Sequence, residues 1–172
     1  SKAREFVPEP VEIDNIIEME TNFGLMKFEI YANIAPKHAY NFKKLANSGF
    51  YDETIFHRII PGFMAQGGDI LTRDSNKDND GRGNPGWTVD QEFNNISHER
   101  GILSMARSQD VNSAGSQFFI CFDNASHLNN KYTVFGKLVS GYKVLDKIEK
   151  LKSEANYICL LYTSPSPRDA TL

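Results

Sequence analysis

The sequence of 172 residues has only two cysteines, Cys121 and Cys159, which lie far apart and outside any CxxC pattern. This spacing excludes a disulfide framework and gives no support to a zinc site. Cys121 lies within the apolar run FFICF and is expected to be a buried strand residue. A chain of this length can bury a core without cross-links or metal, so one domain is expected.

Long apolar runs and an excess of basic charge are also missing. No run approaches the ~20 residues that a membrane span needs, and no charged-then-apolar leader opens the chain. The formal net charge is −3 and Lys and Arg are scattered, so neither nucleic acid nor a membrane is an expected partner. The absent leader predicts a cytoplasmic protein, although a chain that begins at Ser1 also fits a processed periplasmic or secreted product.

Motifs for metals, phosphates and acyl transfer are lacking as well, so we expect neither a metal nor a cofactor. There is no HExxH and no GxSxG. The segment DSNKDNDG at 74–81 starts like an EF-hand loop, but Asn79 replaces its turn glycine and Pro85 its bidentate Glu. GRGNPG at 81–86 lacks the Lys-Ser or Lys-Thr of a phosphate loop and is expected to shape a turn near a binding groove.

The chain divides into three parts. Residues 1–15 carry two prolines and several charges without a periodic apolar face, which predicts a flexible N-terminal arm. The folded domain is expected over residues 16–158. Residues 159–172 are interpreted as a non-native tail, because CLLYTSPSPRD matches the translation of a sequencing-library adaptor. Resequencing an independently prepared template tests this, and an identical tail would contradict it.

Hydrophobic periodicity predicts two helices among short strands. Alternation over residues 16–31, with a turn at 22–24, predicts a hairpin. The pattern from Pro36 to Gly49 predicts one amphipathic helix, and residues 142–151 predict another. This content favours an all-β closed antiparallel barrel capped by the helices, with a split α+β sheet as the alternative. The strands between the helices are expected at 55–60, 63–67, 102–105, 117–122 and 133–139.

Two sequence runs together predict an apolar pocket that also carries polar side chains. FHRIIPGFMAQGGD at 56–69 sets Arg58 among aromatic and thioether side chains, and GILSMARSQDVNSAGSQFFI at 101–120 adds the amide of Gln117 to an apolar strand. With YTVFGKLVSGYKVLDKI at 132–148, these runs resemble the cyclophilins, a family of peptidyl-prolyl cis/trans isomerases. The details MARSQDVNSAGSQFF and LNNKYTVFGK are most similar to bacterial-type members.

The resemblance covers residues 17–151 and implies a closed eight-stranded antiparallel barrel capped by two α-helices. In this sequence the barrel strand that follows the second helix is missing or is replaced by NYICLLYT. The implied partners are proline-containing peptides and unfolded proteins, and nothing in the sequence suggests more than a monomer. His127 stands where cyclosporin-sensitive members have Trp, and Tyr132 where many have His, which argues against cyclosporin binding.

The resemblance also implies a role for each matching residue. Arg58 is implied to be the catalytic side chain, and Gln66 to position Arg58 or the substrate carbonyl. The implied proline pocket consists of Phe63, Met64, Phe119 and Leu128. The other implied substrate-binding residues, which flank the pocket or line the groove for the peptide before the proline, are His57, Ala106, Arg107, Gln117, His127 and Tyr132.

The chemistry of X-Pro rotation explains why an arginine is needed. The amide has partial double-bond character and a rotation barrier of ~18–20 kcal/mol, and its nitrogen becomes basic when the bond is twisted. A guanidinium stays charged at any working pH and donates to that nitrogen. Without the resemblance, Arg58 would be read as a surface strand residue and Phe63, Phe119 and Leu128 as core. A non-catalytic module that binds proline-containing segments remains the alternative function.

Overall fold

The structure is a computed structural model that describes residues 16–151 and, for the backbone, residues 160–164. The predicted N-terminal arm lies outside the described residues, as do residues 152–159 and 165–172. The described residues form a mostly β fold with two helices, as predicted. No helix among them is long and apolar enough to cross a membrane.

The described residues contain nine strands and two α-helices. The helices are α1 (Pro36–Asn47) and α2 (Tyr142–Glu149). The strands are β1 (Ile16–Thr21), β2 (Gly24–Ile30), β3 (Thr54–Ile55), β4 (Arg58–Ile60), β5 (Met64–Gly67), β6 (Ile102–Met105), β7 (Phe118–Cys121), β8 (Val134–Ser140) and β9 (Leu160–Ser164). They form one antiparallel sheet in the order β3-β9-β1-β2-β8-β6-β7-β5-β4.

The sheet curls into a half-barrel, and a closed eight-stranded barrel is not confirmed. Its two edge strands, β3 and β4, are consecutive in the chain and are joined only by residues 56–57. The prediction of one continuous strand over residues 55–60 is therefore wrong. The chain leaves one edge of the sheet after Ile55, which pairs with β9, and enters the other edge at Arg58, which pairs with β5.

Strand β9 follows the second helix and pairs with both β1 and β3. It takes its first four residues from the NYICLLYT segment, so that segment supplies a strand at this place in the sheet. The identification of residues 159–172 as a non-native tail stays a prediction.

Aromatic side chains fill the centre of the fold and connect α1 to the sheet. The Phe42 ring of α1 lies 5.5 Å from the Phe118 ring of β7 and 5.1 Å from the Phe135 ring of β8. Phe118 also meets Tyr51 and Phe56 edge-on, and all five side chains are fully buried. Such edge-to-face packing fixes ring positions as well as burying apolar area. The core therefore fixes the inward face of β7, whose outward face carries the site described below.

A carboxylate far away in sequence caps the start of α1. Ala35 at the N-cap offers no side-chain acceptor and Pro36 offers no N–H. Glu92 accepts hydrogen bonds from the backbone N–H groups of Lys37 (3.1 Å) and His38 (2.8 Å), and from Nδ1 of His38 (2.7 Å). Burial lowers the pKa of His38, although Glu92 opposes this, so the imidazole is neutral and donates through Nδ1. The segment around residue 92 is thereby tied to the helix.

We expect Glu92→Ala to lower the free energy of unfolding by about 2 kcal/mol, because it removes a charged cap and leaves buried N–H groups without an acceptor. Glu92→Gln should cost about half as much, since the amide oxygen still accepts one bond. Urea denaturation measures both changes. Glu99→Ala, at an exposed carboxylate, is the control, and an equal loss there would contradict the capping role.

Candidate active site

Strand register sets three of the predicted site residues in one row. Arg58 of β4 pairs with Gln66 of β5, and Gln66 pairs with Phe119 of β7. Directly paired residues share a face of the sheet, so these side chains lie on the same outward face. Two residues along, Met64 pairs with Cys121 on that face. The residues between them, Ile59, Ala65 and Ile120, point into the core, where all three are fully buried.

A cavity of about 180 Å³ opens on this outward face. Its walls come from β4, β5 and β7, from residue 63 in the turn before β5, and from residues 106, 107, 128 and 132. Phe119 and Met64 are almost fully buried in it, and Tyr132 meets the Phe119 ring edge-on at 5.7 Å. Nine of the twelve predicted site residues line the cavity: Arg58, Phe63, Met64, Gln66, Ala106, Arg107, Phe119, Leu128 and Tyr132.

A buried histidine supports Phe119. The His98 ring stacks on the Phe119 ring with centroids 5.9 Å apart and planes inclined by 13°. Its Nε2 lies 2.9 Å from the Ser104 hydroxyl and its Nδ1 lies 3.1 Å from Oδ1 of Asn129. Burial lowers the pKa of His98, although the hydrogen bond with Asn129 opposes this, and each ring nitrogen has one polar side-chain partner. Phe119 is thereby held in one orientation, and no motif in the sequence pointed to this role of His98.

Arg58 is exposed at the mouth of the cavity. Among the described residues, its guanidinium has no hydrogen-bond or salt-bridge partner. A guanidinium carries five donors in a fixed plane. These donors are therefore available to a bound molecule that places an acceptor beside the apolar wall.

Gln66 contacts another amide rather than Arg58. Its Nε2 donates to Oε1 of Gln117 (2.9 Å), and Nε2 of Gln117 donates to the carbonyls of Gly81 (2.9 Å) and Gly83 (3.0 Å). The buried Asp69 holds the same loop, since its carboxylate accepts hydrogen bonds from the N–H groups of Gly81 and Leu71. Gln66 thus connects the Arg58 row to the loop at residues 81–83.

That loop forms one wall of a second cavity of about 590 Å³. As expected, the glycines of GRGNPG lie along it, and Gln117 also lines it. Sequence reasoning missed Arg82, Trp87 and Thr88 here, and the only signal was a single Trp beside a glycine-rich loop. Gln66, Ala106 and Arg107 line both cavities, so the two lie side by side.

Arg107 differs from Arg58 because its donors are engaged within the protein. Its Nε and Nη2 donate to the carbonyl of Lys131 (3.0 and 2.5 Å), and its Nη1 donates to the carbonyl of Ser108 (2.9 Å). The guanidinium also lies 4.6 Å from the centre of the Tyr132 ring. Arg107 therefore holds the cavity wall in place while its charge stays at the site.

Two predicted site residues lie outside both cavities. His57 is half-buried, and its ring lies beside Gly81 rather than beside Phe119. Burial lowers the pKa of His57 and the charge of Arg58 adds to this, while Asp69 opposes it. His127 is exposed, with its ring 5.4 Å from the Phe63 ring. Each histidine thus borders the site without lining its cavities.

If the substrates are the proline peptides that the resemblance implies, Gly83→Ala is expected to raise their KM about tenfold with little change in kcat, because a Cβ on Gly83 would overlap Oδ1 of Asp69. The backbone and side-chain shifts that remove such an overlap typically cost about 1–3 kcal/mol, and here they would displace the wall of the second cavity. Steady-state kinetics measures the effect. Gly62→Ala is the control, since its φ of 77° strains the backbone but its Cβ meets nothing within 4 Å. Equal KM values for the two variants would contradict this account.

A cavity with both apolar and polar walls, beside a guanidinium with unoccupied donors, suits a small ring attached to a polar amide. The 180 Å³ cavity is large enough for one pyrrolidine ring, and the second cavity beside it leaves room for the peptide chain attached to that ring. No group in the row is arranged as a nucleophile with a base, and twisting an amide needs neither. The fold and the site thus suit a protein that binds a small ring joined to an amide, as the resemblance implies.

Comparison with known proteins gives the family. The family model described as cyclophilin type peptidyl-prolyl cis-trans isomerase/CLD matches residues 16–161. A probable peptidyl-prolyl cis-trans isomerase of Brucella abortus is 44% identical over 142 residues, covering 80% of this chain and 72% of that protein. The Arabidopsis thaliana peptidyl-prolyl cis-trans isomerase CYP18-1 is 43% identical over 144 residues, covering 80% and 84%.

Solved structures agree with this result. A Cryptosporidium parvum cyclophilin type peptidyl-prolyl cis-trans isomerase, crystallised in the presence of the dipeptide Ala-Pro, matches with a TM-score of 0.78 at 35% identity. The match covers 87% of this chain and 98% of that one. The chain belongs to the cyclophilin-type peptidyl-prolyl cis-trans isomerase family. The family and enzyme class predicted from the sequence are confirmed, and the non-catalytic binding module is not favoured.

Proposed function

We propose that Arg58 catalyses rotation about the X-Pro bond by donating a hydrogen bond to the proline nitrogen in the twisted state. The observation that carries this role is a guanidinium without a partner among the described residues, set in one strand row with the buried ring of Phe119. In the planar amide the nitrogen lone pair is delocalised and accepts poorly. It becomes an acceptor only as the bond twists. Such a bond stabilises the transition state more than either isomer.

The apolar cavity holds the proline ring while the acyl side turns. Met64 and Phe119 bury the ring, and exclusion of water strengthens the contact with Arg58. The backbone before the proline lies along Gln117 and Ala106 in the second cavity. Gln66 acts through Gln117, which holds the loop at residues 81–83, and is therefore a positioning residue. No proton is transferred, so His57 has no acid or base role.

The substrates are exposed X-Pro bonds in peptides and unfolded proteins. The Cryptosporidium parvum relative was crystallised in the presence of Ala-Pro, and nine of the twelve predicted site residues of this chain line one cavity. Arg82 and Thr88, which line the second cavity, are exposed, so this cavity is open to solvent. That supports a broad choice of the residue X before the proline.

The protein acts as a monomer. Its sheet forms a barrel in which the chain itself connects the two edge strands. In support, the edge strands β3 and β4 are joined through residues 56–57, so the chain itself links the two edges of the sheet. Sedimentation velocity tests the monomer, and hydrogen exchange of the β3 and β4 amides tests closure. Cyclosporin binding is weak, because the exposed imidazole of His127 offers less apolar area than an indole.

NMR exchange spectroscopy of the peptide Ala-Phe-Pro-Phe tests the proposed function. We expect substoichiometric amounts of the chain to accelerate cis/trans exchange from tens of seconds to well below one second. Circular dichroism confirms that the sample is folded. A folded chain that binds the peptide without accelerating exchange would support the binding-module alternative and contradict the proposal.

A further inference from the structure

A third depression lies next to the second cavity, on the side away from the 180 Å³ cavity. We call it the α1 groove, a depression of about 840 Å³ between helix α1 and residues 87–90. Trp87 and Thr88 line both the α1 groove and the second cavity. The 180 Å³ cavity, the second cavity and the α1 groove therefore adjoin one another in a row of depressions, and the role proposed for Arg58 does not explain the far end of this row.

The walls of the α1 groove are fixed and partly aromatic. Tyr40 is 42% exposed and lines the groove from α1. Trp87 forms the opposite wall, where its Nε1 donates to Oδ1 of Asn41 (2.8 Å) and Nζ of Lys44 lies 5.0 Å from its ring centre. Aromatic walls of this kind suit an extended chain with proline or aromatic side chains.

The charge along this row of depressions is strongly one-sided. Its described lining residues include five cationic side chains and one acidic side chain, Asp90. This contrasts with the whole chain, whose formal net charge is −3. Charged clefts on a molecule of opposite net sign select their partners by charge. The cationic residues are Lys37, Lys44, Arg58, Arg82 and Arg107.

We propose that the α1 groove binds the part of the substrate chain that precedes the proline by several residues, and that it prefers an acidic segment. The inference rests on the proposed function, which places the residues just before the proline in the second cavity. A chain that leaves the second cavity past Trp87 enters the α1 groove directly. Lys37 and Lys44 then lie beside its acidic side chains, and Tyr40 beside its apolar ones.

The test compares three peptides. The tetrapeptide Ala-Phe-Pro-Phe is the reference. Two dodecapeptides end in the same four residues and carry either three Glu or three Lys, with one Tyr, in a Gly/Ser background before them. Trp87 is the only Trp of the sequence and lines both the second cavity and the α1 groove, so its fluorescence reports peptide binding without a label, and the tetrapeptide gives the response to the second cavity alone. Exchange spectroscopy on the same samples gives turnover.

We expect the acidic dodecapeptide to bind about tenfold more tightly than the basic one at low ionic strength, and the difference to shrink in 0.5 M salt. In the full-chain double variant Lys37→Glu/Lys44→Glu, this order should reverse. Lys143→Glu/Lys147→Glu changes the net charge equally on exposed α2 residues and should keep the wild-type order. The result is the ratio of the dissociation constants of the two dodecapeptides, both measured on the same protein. Differences in folded fraction between the variants therefore cancel.

Equal affinity for the acidic and basic dodecapeptides would overturn the proposal. It would also be overturned if Trp87 fluorescence responded to Glu9→Lys/Glu12→Lys in this chain but not to added peptide, since the chain's own N-terminal residues would then occupy the groove. Exchange of the tetrapeptide reports on the proposed function separately. Its absence would refute the isomerase role of Arg58, whereas the binding order of the dodecapeptides alone decides the groove.

Discussion

Replacing Arg58 by alanine is expected to lower kcat/KM for a proline peptide by at least about 100-fold, the usual effect of removing one preorganised donor to a transition state. Arg58→Lys should recover only a small part of this loss, because an ammonium presents a point charge on a flexible stem. The loss should fall on kcat, since the twisted amide is the species that needs the donor. Proline-limited refolding of a protein substrate measures the rate.

Peptide affinity supplies the control for this result. The dissociation constant, measured from peptide line shifts, should change less than threefold in Arg58→Ala, because the proline ring is bound by apolar walls. Equal losses of affinity and turnover would mean that Arg58 only binds the substrate. Stability should be unaffected, since the side chain is exposed and has no hydrogen-bond or salt-bridge partner among the described residues.

Alanine at two adjacent phenylalanines is expected to separate folding from function. Phe118 points into the core among Phe42, Tyr51 and Phe56, so Phe118→Ala should lower the free energy of unfolding by about 4 kcal/mol. Phe119 lines the proline cavity, so Phe119→Ala should cost less stability but lower kcat/KM at least about tenfold through peptide affinity. Urea denaturation and exchange spectroscopy measure the two effects.

The comparison is controlled because both changes delete the same atoms from the same strand. The folded fraction of Phe118→Ala should retain activity within about threefold of wild type, and Phe118→Leu provides a milder form if the alanine variant is too unstable to study. The account would be contradicted if both variants lost turnover equally per folded molecule. It would also be contradicted if Phe119→Ala were the more destabilising of the two.

Local patterns predicted the hairpin, both helices and most strands, because periodicity and turn residues act within a few positions. The break at residues 56–57 was missed because both halves of the run look like strand. It arises from pairing with β9 on one side and β5 on the other. Only the complete sheet determines those partners, so residue order alone could not show that the segment joins two edges.

Nine residues of the 180 Å³ cavity were named through the resemblance, since the matching runs carry them in order. The contacts that hold it in place were not, because they join residues distant in sequence. Glu92 caps a helix 54 residues away, and His98 stacks on Phe119 through ring geometry alone. The link from Gln66 through Gln117 likewise depends on register between β5 and β7. An isolated Glu, His or Gln in sequence gives no sign of such partners.

The central claim is that the cavity binds the proline and Arg58 lowers the barrier to rotation. The most direct test is the cis/trans exchange rate of peptide bound at saturation, measured by NMR for the wild-type chain and Arg58→Ala under matched occupancy. We predict that bound exchange falls at least about 100-fold in the variant while occupancy stays the same. Equal exchange rates in the two saturated samples would contradict the claim.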